Sequence, residues 1–363
     1  MPLEPESVQV VIGDEHDPTT GRTGDYFGFP SEIEITRSID TYSTFSFKAP
    51  FEPDREQFRA TFRPFSYQRL ECLINLETII TGFMLGVDPS FDANGRNVSV
   101  TGYGKPAVLG DVNMPPLDVG KSYQFDGFGL GRIAEQICAP FGIGIDFRSD
   151  DVKPFKKIKL DIDKKPQEFL VDLAKQRDLC ITDTPAGEML LWKSVEPGQP
   201  VLTLVEGTPP FTKVTPSFSP QDYFSEVTGY GKKKKGYGET RWPAANPWLL
   251  TPLRPKVFKL DDAERADVPE ATRAELGRMF AKVATYKIEG LPTWRDPNGN
   301  LFAPNTTIKV HAPSAMIYRP YEFLVKDVIF TKTPNAQTTT LEVVMPGVFS
   351  GDVPTDLPWD EQA

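Results

Sequence analysis

The sequence predicts a mainly β chain with α/β elements, the latter gathered in one segment near the middle. Three observations predict it. Apolar and polar residues alternate in Glu32-Ile33-Glu34-Ile35-Thr36 and again from Thr41 to Lys48, where Phe45 and Phe47 share a face. Period two is the signature of a half-buried strand. Helical spacing is strongest in the middle of the chain, first in Leu130, Ile133, Ala134 and Ile137, then in Phe169, Leu170, Leu173 and Ala174. Finally, 28 glycines and 35 prolines in 363 residues exceed the roughly 12% that globular chains usually carry. Turns must therefore be frequent, which excludes a helical bundle or coiled coil. The length suggests two or three domains.

The first 105 residues read as β. After the two alternating segments, Pro50, Pro53 and Pro64 interrupt the chain. Gln68 to Ile74 and Thr78 to Val87 are further strands. Asn94-Gly95 separates Asp88 to Phe91 from Val98-Ser99-Val100-Thr101, a strong hairpin signal. Short antiparallel strands with aromatic inward residues predict a small barrel or sandwich.

Near residue 105 the pattern changes. Asp126 is placed to cap a helix from Phe128 to Cys138, and Pro140 ends it. Ile143 to Phe147 is a short strand. Ile158 to Ile162 precedes a second helix, opened by Pro166 and running to Arg177, because proline suits the first helical turn. Leu179 to Thr182 and Met189 to Trp192 flank the turn Pro185-Ala186-Gly187. Residues 106–200 thus read as a small mixed α/β domain. Beyond 200 the chain is β again: Val201 to Val205, Phe224 to Tyr230, Ala284 to Glu289, Thr307 to Val310, Tyr321 to Phe330 and Thr338 to Val344. One polar helix, Pro269 to Lys282, interrupts it with Ala274, Leu276, Met279 and Phe280. Residues 351–363, with Pro354, Pro358 and Trp359, read as an extended tail.

Composition removes several functions. The net charge is -10, which disfavours general nucleic-acid binding. The two histidines, His16 and His311, lie far apart and outside any metal-ligand spacing. Cys72, Cys138 and Cys180 are odd in number, widely spaced and set in apolar segments, so they read as buried thiols of a chain made in a reducing compartment. No apolar run approaches 18 residues, and the acidic N-terminus is unlike a secretory signal.

Individual motifs offer little chemistry. Asp92 to Asn97 holds half of a calcium loop without the closing ligands, and reads as a hairpin turn. Asp296-Pro297-Asn298-Gly299-Asn300 reads the same way. Gly127-Phe128-Gly129-Leu130-Gly131 lacks a nucleotide fingerprint, and Gly102-Tyr103-Gly104 has the same problem. No Gly-x-Ser-x-Gly elbow exists. Asp161 and Asp163 would share a face of a strand, but glycosidase work also needs a cleft. The concentrated basic feature is Lys232, Lys233, Lys234 and Lys235, between Gly231 and Gly236. It reads as an exposed loop and a candidate contact for phosphates or for an acidic protein partner, the latter being favoured in an acidic chain. Tyr26, Phe27, Trp242, Trp248, Trp294 and Trp359 are candidate interface anchors, some of which must be core.

A broader pattern carries more. The run from Gly290-Leu291-Pro292-Thr293-Trp294-Arg295-Asp296 through Asn298-Gly299-Asn300-Leu301-Phe302-Ala303-Pro304-Asn305-Thr306 resembles a segment of Mu-type phage baseplate hub proteins. So do Tyr321 to Phe330, Thr340 to Pro346, Arg63-Pro64 with Thr81-Gly82, Phe141-Gly142-Ile143, and the helix holding Arg273 and Arg278. The family is related to the hub regions of contractile-tail and type VI secretion spike proteins. The resemblance implies two similar tail-tube-like β-barrel domains plus a smaller mixed α/β domain. On it, residues 1–105 form the first barrel, which strands from 201–230 could complete. Residues 201–350 form the second, with a helical insertion near 262–283. It further implies a homotrimeric ring of pseudo-sixfold symmetry that joins a sixfold tail tube, or distal tail proteins, to a threefold central spike. Wedge or peripheral baseplate proteins surround it, and phage DNA passes through. The virion tail baseplate is then its location, after synthesis in host cytoplasm. The family-like structural residues are Trp294, Asp296, Gly299, Pro304 and Asn305; no catalytic residue, cofactor or metal is implied. The chain departs from the family at Gly231 to Pro252. The competing readings are a tail-associated cell-wall hydrolase and a carbohydrate-binding β protein.

Overall fold

The computed structural model describes residues 6–13, 25–28, 30–93, 95–150, 153–156, 158–210, 213–233, 236–260 and 267–360. The first part of the chain forms β1 (Val8–Ile12), β2 (Asp25–Gly28), β3 (Glu32–Ser38), β4 (Thr44–Pro50), α1 (Glu56–Thr61), β5 (Arg69–Ile74), β6 (Glu77–Asp92) and β7 (Gly95–Gly104). The middle forms β8 (Tyr123–Gln124), α2 (Leu130–Cys138), β9 (Ile145–Arg148), β10 (Lys159–Leu160), α3 (Pro166–Lys175), β11 (Cys180–Asp183) and β12 (Met189–Trp192). The last part forms β13 (Leu202–Val205), β14 (Lys213–Phe218), β15 (Glu226–Lys233), β16 (Gly236–Ala245), β17 (Pro255–Leu260), α4 (Val268–Val283), β18 (Ala284–Leu291), β19 (Thr307–Ala312), β20 (Ile317–Lys332) and β21 (Gln337–Val344).

The two β regions join in one sheet of 13 strands. Its path is β14-β18-β21-β20-β3-β4-β7-β6-β5-β1-β2, with β19 and then β13 branching from β20. The seam is the antiparallel pair β3–β20, which sets Ile35 opposite Phe330. The same row continues through Phe45 and Gly102. Alternation then gives the sheet one apolar face across the seam: Ile33, Ile35, Phe45, Phe47, Val100, Val328, Phe330, Leu341 and Val343 are all buried in a single core. Gly102 is needed there, since a Cβ would collide with the Phe45 ring and the Phe83 carbonyl.

The expected pair of closed barrels is not found. Among the described residues no sheet closes: β14 and β2 remain at opposite ends of the path. The physical reason lies in two 16-residue strands, β6 and β20. The sequence reading split the first at Val87, whereas Glu77–Asp92 is continuous. Each long strand gives its two ends to different neighbours. β6 pairs β5 near its start and β7 beyond, with an irregularity at Met84/Gly86. β20 pairs β19 first, then β21 and β3, with an irregularity at Val325/Asp327. Such bulges bend a strand and sharpen its twist, so the sheet folds over its core without pairing edge to edge.

The middle segment has its own core. Parallel β9–β12 and antiparallel β11–β12 make a three-stranded sheet. The buried faces of α2 and α3 meet it through Ile133, Ile137, Leu170, Leu173 and Leu191. Asp126 does not cap α2; its carboxylate accepts the Ile158 amide at 3.0 Å, tying the loop before α2 to the chain entering β10. A separate sheet, β16-β15-β17, lies against α4. The Trp242-Pro243 stretch is strand β16, where the sequence showed only an elaboration.

Candidate functional site

The segment from Trp294 to Asn305 is a structural clasp. Trp294 is fully buried, stacks edge-on to Phe330 at 5.5 Å and donates its indole N–H to the Thr338 carbonyl at 2.9 Å. Asp296 accepts the amides of Asn298 and Asn300 at 2.8 and 2.9 Å, closing the turn in which Gly299 takes φ +87°. This is the turn the sequence predicted, with the carboxylate spent on backbone amides. Pro304 is buried beside Asn305. Asn305 adopts φ 63°, a conformation asparagine tolerates better than most residues. Its side chain accepts the Val195 amide at 2.8 Å and donates to the Lys193 carbonyl at 3.0 Å. The clasp therefore holds the irregular segment that leaves the middle module after β12.

That module is also fixed to the turn between β3 and β4. Thr182 donates from one hydroxyl towards the carbonyls of Ser38 and Thr41, at 2.9 and 2.7 Å. Asp183 accepts the Ser43 amide at 2.6 Å. Burial pushes the Asp183 carboxyl up from its ordinary value, against the pull of the Ser43 hydrogen bonds. Trp192 donates to the Ile39 carbonyl at 3.0 Å. Gly104 lies where a Cβ would strike the Asp183 carboxylate. On the other side, Arg177 pairs with Asp267 at 2.9 Å, both side chains about 1% exposed, and lies over the Phe155 ring at 4.4 Å. Lys153 joins the same carboxylate. Arg278 of α4 donates to the Leu179 carbonyl at 2.9 Å. The sequence reading missed this junction. The available signal was a polar Thr-Asp pair ending an otherwise apolar strand.

The residues considered for catalysis are not brought together. His16 lies outside the described residues, and His311 sits in β19. Among the described residues no group of three His, Cys, Asp or Glu is placed to hold a metal ion. The three cysteines are buried and free; burial pushes the thiols of Cys138 and Cys180 up to about 12 and that of Cys72 higher. Such thiols do not ionise near neutrality and make poor nucleophiles. Asp161 and Asp163 stand on an exposed turn after β10, not on a strand face. Gly95 occupies the β6–β7 turn with φ +140°, while Asn94 lies outside the described residues. No helix among the described residues is long and apolar enough to cross a membrane.

Two surfaces remain. The face of the large sheet opposite its core is polar. One row runs Thr338, Thr331, Glu34, Ser46, Thr101; another runs Thr215, Lys287, Glu342, Asp327. Glu32, Lys48, Ser99 and Asp88 form a third. Of these, Glu32, Glu34, Asp88, Ser99, Thr101, Thr215 and Lys287 are exposed. The second surface is the sheet β16-β15-β17, whose β15–β16 hairpin carries Lys232 and Lys233 in strand and leads to Lys234 and Lys235, which lie outside the described residues. The tryptophans divide. Trp242 is 40% exposed. Trp248 is half-buried and donates to Pro354 at 2.8 Å, and Trp359 packs on Phe218 at 5.4 Å. Trp294 is core, and the side chains of Tyr26 and Phe27 lie outside the described set.

Comparison with known proteins bears on this arrangement. Residues 118–193, the middle module, match the family described as baseplate hub protein gp44-like, second domain. No curated protein matches the chain. Solved structures do, along its whole length. The 43 kDa tail protein of prophage MuSo2 from Shewanella oneidensis shares 22% identity over 95% of this chain and 99% of that one, with TM-score 0.76. A tail protein from Neisseria meningitidis MC58 shares 17% over 96% and 98%, with TM-score 0.77. The chain has the fold of these tail proteins. The resemblance to Mu-type hub proteins is borne out at that level, through the hub module and the fold around it. A more distant likeness runs to an E. coli component of the type VI secretion system, described as similar to T4 tail proteins gp27 and gp5. It shares 11% identity over 95% of this hub-like chain and 75% of that one, with TM-score 0.54.

Proposed function

We propose that this chain is a structural baseplate hub of a phage tail and has no catalytic role. Three copies form a ring that adapts a sixfold tail tube, or distal tail proteins, to a threefold central spike. Wedge or peripheral baseplate proteins bind around it, and DNA passes through its channel. The observation that carries the reading is coverage: one tail-protein fold accounts for 95% of this chain and 99% of its prophage counterpart. Pseudo-sixfold symmetry then rests on the two halves of the open sheet, β3-β4-β7-β6 and β18-β21-β20, each chain supplying both. The polar face they share suits a channel wall, because its rows are mostly Thr, Ser and carboxylates, and its exposed cation Lys287 is paired with Glu289 at 3.6 Å, leaving DNA no continuous cationic track. Residues 106–200 act as a separate module on the body, and Lys232 to Lys235 as a partner contact.

The test is the mass of purified protein by light scattering across a concentration series, followed by imaging of the virion. Three times the 40.5 kDa chain mass, and density for the chain between tube and spike, is the expected result. A monomer at high concentration with no place in the tail overturns it.

A further inference from the structure

A cleft lies where the middle module meets α4. α3 on one side, and α4 with the end of β17 on the other, enclose about 180 Å³. The walls are apolar: Leu173 of α3, Leu260 of β17, and Ala271 and Ala274 of α4 are all buried. Two polar side chains also line it. Gln176 and Arg278 are only 4% and 7% exposed, and Gln176 Oε1 and Arg278 Nε have no hydrogen-bond partner. A buried polar group left unpaired costs about 1–3 kcal/mol, a cost that a ligand of matching chemistry removes.

The charges around the cleft select an anion. Lys164, Lys175, Lys259 and Arg278 line it against two carboxylates, Asp172 and Glu275. Both carboxylates are already engaged, Asp172 by Lys164 at 2.7 Å and Glu275 by Lys256 at 2.6 Å. Lys175 is exposed and makes no ion pair among the described residues. The buried Arg278 is poorly compensated, which is costly for a charge out of water. Its pair with Asp40 is 3.9 Å long. Burial pushes the neighbouring Asp178 carboxyl up to about 7, so that group is only partly ionised near neutrality. Lys175, Arg278 and Gln176, the last through its NH2 once the amide is turned, are all donors. Size narrows the choice further. About 180 Å³ is below the roughly 300–1,000 Å³ of sites for drug-sized ligands, and suits one side chain. Apolar walls with cationic donors match two methylenes ending in a carboxylate. Lys175 and Lys259, both exposed, favour further acids beside the inserted one.

We propose that the cleft between α3 and α4 takes a glutamate side chain from an acidic segment of a partner protein. The inserted carboxylate accepts from Arg278, Gln176 and Lys175, and its methylenes lie against Leu173, Ala271 and Ala274. The site draws its walls from the middle module and from the body, so an occupant ties the two together. The inference goes beyond the ring reading and does not need it.

The experiment titrates the full chain by calorimetry with the peptide acetyl-AEEEA-amide, and in parallel with acetyl-AQQQA-amide, glutarate and inorganic phosphate. The glutamate peptide should bind at least about 10-fold more tightly than the glutamine peptide, the weight of one charge-assisted hydrogen bond. K175E should weaken it about 10-fold. Q176E puts a carboxylate inside the cleft and should abolish binding. Circular dichroism confirms that both variants fold. Bound peptide should also slow acetylation of Lys175, read by mass spectrometry, and leave that of the exposed Lys121 unchanged. No binding by the native chain, equal binding of the glutamine peptide, or native affinity in both variants overturns the proposal. If glutarate or phosphate binds as tightly as the peptide and protects Lys175 equally, the cleft is a small-anion site and the partner reading is overturned. None of these results depends on oligomeric state, so this proposal and the ring reading fail separately.

Discussion

Asp178 provides a quantitative test of how the middle module is joined to the body. It follows α3 in the left-handed region, φ 51°, and packs against Gly351 in the loop after β21. Among the described residues no donor reaches its Oδ1. Burial, then the charge of Glu270 on α4, push its carboxyl up to about 7, with Asp352 adding to the rise; Arg278 and Lys193 pull it back. The folded value thus exceeds the ordinary 3.8, so the folded chain holds a proton that the unfolded chain releases. Stability must fall as pH rises from about 4 to about 7 and level off above. At full strength this displacement corresponds to about 4 kcal/mol, and partial exposure of the group reduces the expectation to roughly 1–2 kcal/mol. Asp178→Asn keeps the volume and the left-handed preference and removes the charge. Urea unfolding at pH 4, 6 and 8 should show near-equal stability at pH 4 and a variant more stable by about 1–2 kcal/mol at pH 8. A variant that tracks the native curve at every pH, or is weaker at pH 8, refutes the argument. The carboxylate would then be ionised and held by Arg278.

Other substitutions probe the clasp and the seam. Asn305→Ala removes both hydrogen bonds to the 193–195 segment and leaves alanine at φ 63°; a loss of about 2–4 kcal/mol and faster proteolytic cutting near Val195 should follow. Asn305→Gly should recover the part due to backbone strain. Gly102→Ala forces a methyl into the Phe45 ring and the Phe83 carbonyl, so thermal melting should show at least about 2–3 kcal/mol lost, or the chain should fail to fold. Trp294→Phe should cost about 1–3 kcal/mol through the unpaired Thr338 carbonyl and the void beside Phe330, and Trp294→Ala about 3–5 kcal/mol. A thiol reagent should label none of the three cysteines in the native chain on the timescale on which all three react in denaturant.

What could be read from sequence was local. Ile33, Ile35, Phe45 and Phe47 alternate as their strands require, and Asn94-Gly95 marks a hairpin that forms. The helical spacings at 130–138 and 166–175 give α2 and α3, though the capping role of Asp126 went instead to a long-range bond with Ile158. Partners were not legible. Period two says which side of β3 is buried, and nothing about whether β4 or β20 lies beside it. The seam between Ile35 and Phe330 spans most of the chain, and no local signal encodes it. The barrel expectation failed for the same reason. Short strands with inward aromatics fit closed and open sheets equally, and the two 16-residue strands that bend the sheet were read as shorter ones. Of the motif residues, Trp294, Asp296 and Gly299 behave as a turn and core sequence should. The role of Asn305 depends on a backbone 110 residues away.

The junctions also bear on mechanical behaviour. Under the proposed hub role, the chain would have to transmit force without its modules rocking. Exposed ion pairs such as Arg55–Glu52 or Lys121–Asp118 contribute little rigidity, because water and salt compete for both partners. The middle module is instead held by Thr182, Asp183 and Trp192 on the β3–β4 turn and by Asn305 on its exit. Arg177–Asp267 adds a pair with both side chains about 1% exposed. Each has one geometry and leaves a buried polar group unpaired if it moves, which costs on the order of 1–3 kcal/mol per group. These contacts flank the module on three sides: the turn after β3, the start of α4 and the entry to β19. Rotation about any one would break the other two, so the module and the open sheet should move as one body under load.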